Sequence, residues 1–222
     1  MSLWIKICGN TSLKDARLAV EAGADAVGFV FAPSPRRVSA AEAAAIVPHL
    51  PAAVEKIGVF VDASLNEIYS TVRTCGLTGV QLHFEAGLEA PAKLRARLGP
   101  QLRILRVVHF DAGTPGQTTE QIGLIAQNGQ VDAVLIDSRT ATAVGGTGVA
   151  FDWVAARRTV FGEGARLKLV VAGGLNPENV AEAVGLLQPW GVDVASGVEA
   201  APGRKEPNKV GAFVARARAS AR

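Results

Sequence analysis

The chain has 222 residues, of which 49% are hydrophobic and 19% are charged, so it can form a core and is not a disordered protein. Its net charge of +3 is scattered and only 5% of its residues are aromatic, so we expect no nucleic-acid surface. No apolar run approaches the roughly 20 residues that span a bilayer. Two cysteines, Cys8 and Cys75, are too few for a disulfide framework, and no Cys/His spacing suits zinc. We expect a cytoplasmic protein with no membrane partner and no metal site.

Short apolar segments of strand length alternate with Ala-rich amphipathic segments of helical length. Strand segments such as 133–136 are continuously apolar, which is typical of parallel strands covered on both faces. Ser12 and Ser39 stand at expected N-caps, and Gly23 follows the first helix. The predicted strands are residues 3–7, 26–31, 56–61, 79–82, 103–108, 133–136, 167–171 and 192–195. The predicted helices are residues 12–22, 39–47, 64–74, 90–98, 118–126, 152–159, 176–187 and 209–219.

This alternation leaves two architectures open, the doubly wound open sheet and the closed barrel. Eight strand–helix units of about 28 residues favour the barrel. We therefore predict an α/β fold, a single-domain (β/α)8 TIM barrel over residues 1–222. Because active sites of such barrels lie at the carboxyl ends of the strands, the residues after each predicted strand are the candidates for a functional site.

Glycine-containing turns follow the last two predicted strands, at Gly173-Gly174 and at Ser196-Gly197. Glycine lets a backbone approach a phosphate closely, and N–H groups at a helix start carry partial positive charge. The loops after strands seven and eight are a common phosphate site of these barrels. The pattern therefore predicts a phosphate site, although the first pair also fits a tight turn with Asn176 as N-cap.

Two residues at predicted strand ends carry groups that can move protons. Asp137 follows four apolar residues, and a carboxyl group in a closed, dry pocket can hold and donate a proton. Its alternative role is an N-cap or a loop salt bridge. Cys8 ends the first strand with Lys6 close in sequence, and a thiol acts as a base only where a cation favours its thiolate. The residues alone leave Cys8 open between catalysis and packing, whereas Cys75, at the third helix, is typical of packing.

Two further loops are candidates for contact with a substrate. Arg36 and Arg37 follow the second strand, where a guanidinium can grip a carboxylate with two hydrogen bonds; the alternative is a surface pair. The cluster GGTG at residues 145–148 lacks the lysine of a triphosphate-binding loop. We predict that this cluster forms a mobile loop that closes over substrate.

The motifs of the chain resemble those of the phosphoribosylanthranilate isomerase family. They occur in the family's order and extend over nearly the whole chain, which generic phosphate loops do not explain. The matching segments are KICGNT at 6–11, GFVF at 28–31, SPR at 34–36, GVFV at 58–61, VQLH at 80–83, GGTG at 145–148, AGGLNPENV at 172–180 and VDVASGVE at 192–199.

The resemblance implies an Amadori rearrangement in tryptophan biosynthesis. In this reaction N-(5-phosphoribosyl)anthranilate becomes 1-(2-carboxyphenylamino)-1-deoxyribulose 5-phosphate, without a metal or a cofactor. By this likeness Asp137 is the general acid that opens the ribose ring to a Schiff base, and Cys8 is the general base that takes the C2 proton. By the same likeness Arg36 holds the anthranilate carboxylate. The sequence leaves the oligomeric state open between a monomer and a homodimer. The implied substrate-binding residues are Arg36, Gln81, His83, Gly146, Gly173, Gly174, Ser196 and Gly197.

The chain departs from the family pattern at three positions, which concern affinity and loop closure more than chemistry. Phe84 stands where glycine is usual, Val149 where lysine is common, and Arg37 where an aromatic residue is frequent. Two other functions stay open: another phosphate-binding barrel enzyme, such as a sugar-phosphate epimerase or a relative of indole-glycerol-phosphate synthase, and a non-catalytic barrel that binds phosphorylated metabolites. Another phosphate-binding barrel enzyme would give Cys8 no task, and a non-catalytic barrel would not need an acid–base pair.

Overall fold

A computed structural model of the chain describes residues 2–83, 87–111, 113–138, 152–161 and 167–221. Eight parallel strands close into a barrel in chain order, with β8 pairing to β1, which confirms the predicted fold. The strands are β1 (Trp4–Ile7), β2 (Ala26–Val30), β3 (Glu55–Phe60), β4 (Gly79–Leu82), β5 (Arg103–Phe110), β6 (Ala133–Ser138), β7 (Lys168–Val171) and β8 (Gly191–Val194). The helices are α1 (Leu13–Glu21), α2 (Ala40–Ile46), α3 (Leu65–Cys75), α4 (Ala90–Leu98), α5 (Pro115–Asn128), α6 (Trp153–Thr159), α7 (Val180–Leu187) and α8 (Pro207–Ser220).

Side chains on each strand alternate between the barrel interior and the layer that packs against the helices. Trp4 and Leu135 belong to the interior cluster, whereas Ile5 joins the larger cluster that includes helix residues. Because successive side chains of a strand point to opposite faces, the inward set of β1 continues from Trp4 to Lys6 and Cys8. The strand therefore directs an ammonium and a thiol into the barrel.

Serine caps set the start of the first three helices. Ser12 accepts a hydrogen bond from the backbone N–H of Asp15, which confirms the predicted cap of α1. Ser39 caps α2 as predicted and forms a capping box with Glu42. The box fixes the end of the loop that joins β2 to α2. Among the described helices, none has the length and apolar character of a membrane span.

Most elements differ from the sequence prediction at one end or both, and helix α7 and strand β5 are two of them. Helix α7 begins at Val180 and not at 176, because the Asn176 side chain accepts from the N–H groups of Glu178 and Asn179 at 2.9 and 3.1 Å. Such a side-chain bond holds a turn in place of the first helical residues. Strand β5 extends to Phe110 because its pairing with β6 continues to the end of that strand.

An antiparallel ribbon follows β8 and has no counterpart in the sequence prediction. It consists of β9 (Glu199–Ala201) and β10 (Arg204–Lys205). Gly203 supplies the left-handed conformation of the connecting turn, with φ of 77°. The Thr11 hydroxyl donates to the Gly203 carbonyl at 2.5 Å, so the ribbon is tied to the loop after β1.

Candidate active site

Cys8 lies at the carboxyl end of β1 and is buried. Its N–H donates to the Val194 carbonyl at 2.8 Å, and its own carbonyl accepts from Lys205 Nζ at 2.6 Å. The thiol packs over Gly28, where an added Cβ would come 2.7 Å from Cys8 Sγ. Burial raises the pKa of the Cys8 thiol, whereas Lys6 and Lys205 act to lower it. The structure therefore places two cations that favour the thiolate near Cys8, although burial outweighs them.

Asp137 on β6 lies beside two histidines. His83 Nε2 is 3.9 Å from Asp137 Oδ2, and the two side chains are 19% and 16% exposed. The His83 ring meets the His109 ring edge-on, with centroids 5.1 Å apart. His109 is the partner of Asp137 in the register of β5 and β6. His109 is not among the site residues predicted above, although it directly follows the predicted fifth strand (103–108) and so stands at a candidate position.

A buried ion pair is in electrostatic contact with both Cys8 and Asp137. Lys6 Nζ donates to Asp193 Oδ1 and to Gln81 Oε1, each at 2.9 Å. Burial opposes the charge on Lys6, but Asp193 and Cys8 outweigh it and keep the pKa of Lys6 above its usual value. Burial raises the pKa of Asp193. The charge of Lys6 acts to lower that pKa, and the charge of Asp137 acts to raise it further. A lysine inside an apolar strand is the one sequence signal for this pair.

Arg36 is held in the loop after β2 by a carboxylate. Its Nε donates to Glu199 Oε1 at 2.9 Å and its Nη2 to Glu199 Oε2 at 2.7 Å. Glu199 Oε1 also accepts from Lys205 Nζ at 3.0 Å. Burial acts to raise the pKa of Glu199, but Arg36 and Lys205 hold it below its usual value. Arg37, by contrast, is exposed.

The two loops predicted to hold phosphate are in contact. Gly173 and Gly174 follow β7 with φ of 80° and 67°, in the left-handed region that favours glycine. Gly197 lies in the turn Ser196–Val198 after β8, where an added Cβ would overlap the Leu175 carbonyl oxygen. The backbone conformation therefore requires glycine at 173 and 174, and the close approach of the two loops requires glycine at 197.

The predicted site residues fall into groups at the carboxyl end of the barrel. Cys8 and Arg36 lie together beside the ribbon, and His83 lies beside Asp137. Gly146 lies outside the described residues, as do Phe84 and Val149, so the contact and the loop closure predicted for 145–148 stay predictions. Within the described ranges, no group of three or more His, Cys, Asp or Glu side chains could hold a metal ion.

Known proteins similar to this chain share its length as well as its fold. The model of the N-(5'-phosphoribosyl)anthranilate (PRA) isomerase family matches residues 5–216. The N-(5'-phosphoribosyl)anthranilate isomerase of Geobacter sp. (strain M21) is 44% identical over 218 residues, which cover 96% of this chain and 97% of that protein. The crystal structure of phosphoribosyl anthranilate isomerase from Thermotoga maritima has a TM-score of 0.84 at 35% identity and covers 98% of this chain and 99% of its own. A crystal structure of phosphoribosyl anthranilate isomerase in complex with reduced 1-(o-carboxyphenylamino)-1-deoxyribulose 5-phosphate has a TM-score of 0.79 at 34% identity, with the same coverage of 98% and 99%.

Proposed function

Because the chain belongs to the N-(5'-phosphoribosyl)anthranilate isomerase family, an isomerase family of tryptophan biosynthesis, we propose that Asp137 and Cys8 carry the proton transfers of its Amadori rearrangement. Membership in the family decides against an epimerase, a synthase relative and a non-catalytic barrel. One observation supports the assignment of roles above all: Cys8 and Asp137 both stand at carboxyl strand ends of one closed barrel.

Asp137 is the general acid of the first step. Its carboxyl group donates a proton to the ribose ring oxygen, the C1–O bond breaks, and the nitrogen lone pair forms the C1=N bond of a Schiff base. His83 is a substrate contact in this proposal, because its ring lies 3.9 Å from the acid and borders the same opening. Two polar groups, one after β4 and one on β6, thus meet the sugar.

Cys8 is the general base of the second step. Its thiolate takes the C2 proton, the C–H electron pair forms C1=C2, and the C1=N pair returns to nitrogen, which gives an enolamine. The enolamine then tautomerises to the keto product. Burial raises the pKa of the thiol, which makes the thiolate a stronger base but a rarer species, and Lys6 and Lys205 oppose this rise without cancelling it.

The two anionic ends of the substrate are bound at different loops. Arg36 uses one edge of its guanidinium for Glu199, and we propose that the other edge, with Nη1, binds the anthranilate carboxylate. The backbone of the glycine loops binds the phosphate. Gln81 Oε1 accepts from Lys6, so a contact with the substrate falls to its amide Nε2. The substrate-binding set is Arg36, Gln81, His83, Gly146, Gly173, Gly174, Ser196 and Gly197.

A turnover assay on freshly made N-(5-phosphoribosyl)anthranilate tests the roles of the acid and the base by the loss of its fluorescence. Cys8→Ala and Asp137→Asn should each lower kcat by roughly 10²-fold or more with little change in KM, as for groups that act in proton transfer. Cys75→Ala is the control for the thiol, since Cys75 packs in α3 with its Sγ donating to the Ala40 carbonyl. Asp62→Asn, after β3, is the control for a strand-end carboxylate. Near-parental turnover by the Cys8 or Asp137 variant would overturn that residue's role.

We also propose that residues 1–222 form one cytoplasmic domain. A single barrel uses the chain from β1 to α8, and both cysteines are free thiols. Limited proteolysis that releases a stable fragment would contradict the single domain. Sedimentation equilibrium of the purified chain distinguishes the monomer from the homodimer.

A further inference from the structure

Lys6 is a charged residue inside the barrel, and its side chain is 0% exposed. An ammonium group in such a place costs several kcal/mol unless it is paired and hydrogen-bonded. Asp193 and Gln81 each accept one hydrogen bond from Lys6 Nζ at 2.9 Å. An ammonium has three N–H donors, so these contacts use two of them. The third is left for a neighbour on the same strand.

That neighbour is the thiol of Cys8. Lys6 and Cys8 are two residues apart and therefore share the inward face of β1. Both side chains lie over Gly28 of β2, where an added Cβ would stand 2.7 Å from Cys8 Sγ and 3.1 Å from Lys6 Cε. The charge of Lys6 acts on the thiol, and among the influences on it only burial has a larger effect on the pKa of Cys8. Gly28 thus leaves a space that Lys6 Cε and Cys8 Sγ both border.

We propose that Lys6 is a positioning residue of the isomerase, whose ammonium group, fixed by Asp193 and Gln81, favours the thiolate form of Cys8 that removes the C2 proton. Lys6 acts through Cys8 and need not touch the substrate. The proposal rests on the proposed function, because Lys6 matters for turnover only if Cys8 is the base.

Lys205 is the second cation near the thiol, but its hydrogen bonds go elsewhere. Its Nζ donates to the Cys8 and Ala195 carbonyls and to Glu199 Oε1, at 2.6, 3.1 and 3.0 Å. Burial lowers the pKa of Lys205 in spite of Glu199, whereas the pKa of Lys6 is raised. Lys205 therefore fastens the backbone around Cys8, and Lys6 is the cation that acts more strongly on the thiol.

Two other charged groups interact with the thiol. Asp193 on β8 acts to raise the pKa of Cys8, but less strongly than Lys6 lowers it. Arg36, in the loop after β2, interacts with Cys8 while it is bonded to Glu199. When Lys6 alone is removed, burial and the Asp193 carboxylate remain, and both disfavour the thiolate form of Cys8.

The direct test is a pH titration of the Cys8 thiolate by its ultraviolet absorbance, in a Cys75→Ala background where Cys8 is the remaining cysteine of the two. The same chain with Cys8→Ala provides the blank. In Lys6→Met the midpoint should move to higher pH, and a midpoint that lies one pH unit higher lowers the thiolate fraction near neutral pH about tenfold. Lys6→Arg keeps the charge and should stay closer to the parent. Lys56→Met is the matched control, because Lys56 Nζ donates to the Pro51 carbonyl and not to the thiol.

The pH profile of turnover gives the second readout. In Lys6→Met the limb of kcat/KM that requires thiolate should move to higher pH with KM little changed. If Lys6→Met does not fold, Lys6→Met with Asp193→Asn leaves neither charge unpaired and should shift the thiol midpoint in the same direction. An unshifted midpoint overturns the proposed effect of Lys6 on the Cys8 thiolate, whatever the turnover. A shifted midpoint with full turnover by Cys8→Ala instead overturns the proposed base, and with it the role of Lys6 in turnover.

Discussion

Arg36 and Glu199 form a two-pronged ion pair, with Nε–Oε1 and Nη2–Oε2 distances of 2.9 and 2.7 Å. The pair joins the loop after β2 to the ribbon after β8, across 163 residues of sequence. Glu199 has 4% of its side chain exposed, and Lys205 binds it from the other side. The proposed anchor for the anthranilate carboxylate is thus held by a carboxylate of the protein, which fixes the plane of the guanidinium before substrate binds.

Replacing Arg36 with alanine should weaken substrate binding more than it slows the chemical step. A hydrogen bond to a charged group contributes about 1.5–3 kcal/mol, so KM should rise roughly 10- to 100-fold while kcat changes little. Glu199 keeps Lys205 as its partner in this variant. Steady-state kinetics of Arg36→Ala and of the exposed-site control Arg37→Ala check the prediction. An unchanged KM in the first would place the carboxylate anchor elsewhere, with Arg37 as the first candidate.

Glu199→Gln should destabilise the fold through Lys205. The Lys205 side chain is 0% exposed, and loss of its anion leaves a buried ammonium without a counter-charge. Breaking such a pair costs about 3–5 kcal/mol of unfolding free energy. Glu55→Gln is the matched control, because its pair with Arg103 is partly exposed and should contribute no more than about 1 kcal/mol. Urea unfolding measures the loss of unfolding free energy in both variants. Equal losses would contradict the argument that the buried Lys205 ammonium makes Glu199 more important than Glu55.

The contribution of Glu199 should also depend on pH. Its pKa in the folded chain lies below its usual value, so the carboxylate stabilises the fold above the usual glutamate range. That stability is lost as the pH falls through the lowered pKa of the folded state. The gap in unfolding free energy between the parent and Glu199→Gln should therefore narrow in acid. Urea melts over a series of pH values measure the gap, and a gap that stays constant into acid would refute the linkage.

The sequence predicts the barrel and the location of its site because both depend on local patterns. Each strand is a short and mostly apolar run, and the carboxyl ends of parallel strands must meet at one edge of the barrel. Cys8 and Asp137 stand at such ends, so the sequence alone indicates that they lie at the same edge. The positions of Gly173 and Gly174 after a strand follow the same logic.

The partners of these residues are not predictable in the same way. Lys6 stands out as a charge in an apolar strand, but its partner Asp193 is 187 residues away, and no periodicity links the two. The ribbon has strands of three and two residues, too short for a pattern. Its place is set by the long-range contacts of Lys205 with Cys8 and of Glu199 with Arg36, which no local pattern predicts.

The contact between the two glycine loops provides a test of the proposed phosphate site. An added Cβ at Gly197 would overlap the Leu175 carbonyl oxygen, which belongs to the backbone and cannot rotate away as a side chain can. Gly197→Ala should therefore push the loop after β8 away from the loop after β7. The backbone N–H groups of the two loops would no longer converge on one phosphate, and phosphate binding depends on that convergence.

For Gly197→Ala we expect KM to rise about tenfold or more, as for the loss of one charge-assisted hydrogen bond, and competitive inhibition by inorganic phosphate to weaken in parallel. Gly185→Ala is the matched control, because an added Cβ on this α7 residue meets nothing within 4 Å. Alanine at 185 should leave KM and the inhibition constant of phosphate unchanged, and should stabilise the helix by up to about 1 kcal/mol. A rise in KM without weaker phosphate inhibition would mean that Gly197 acts on another part of the substrate. If both constants match those of the Gly185 variant, the phosphate does not lie between these two loops.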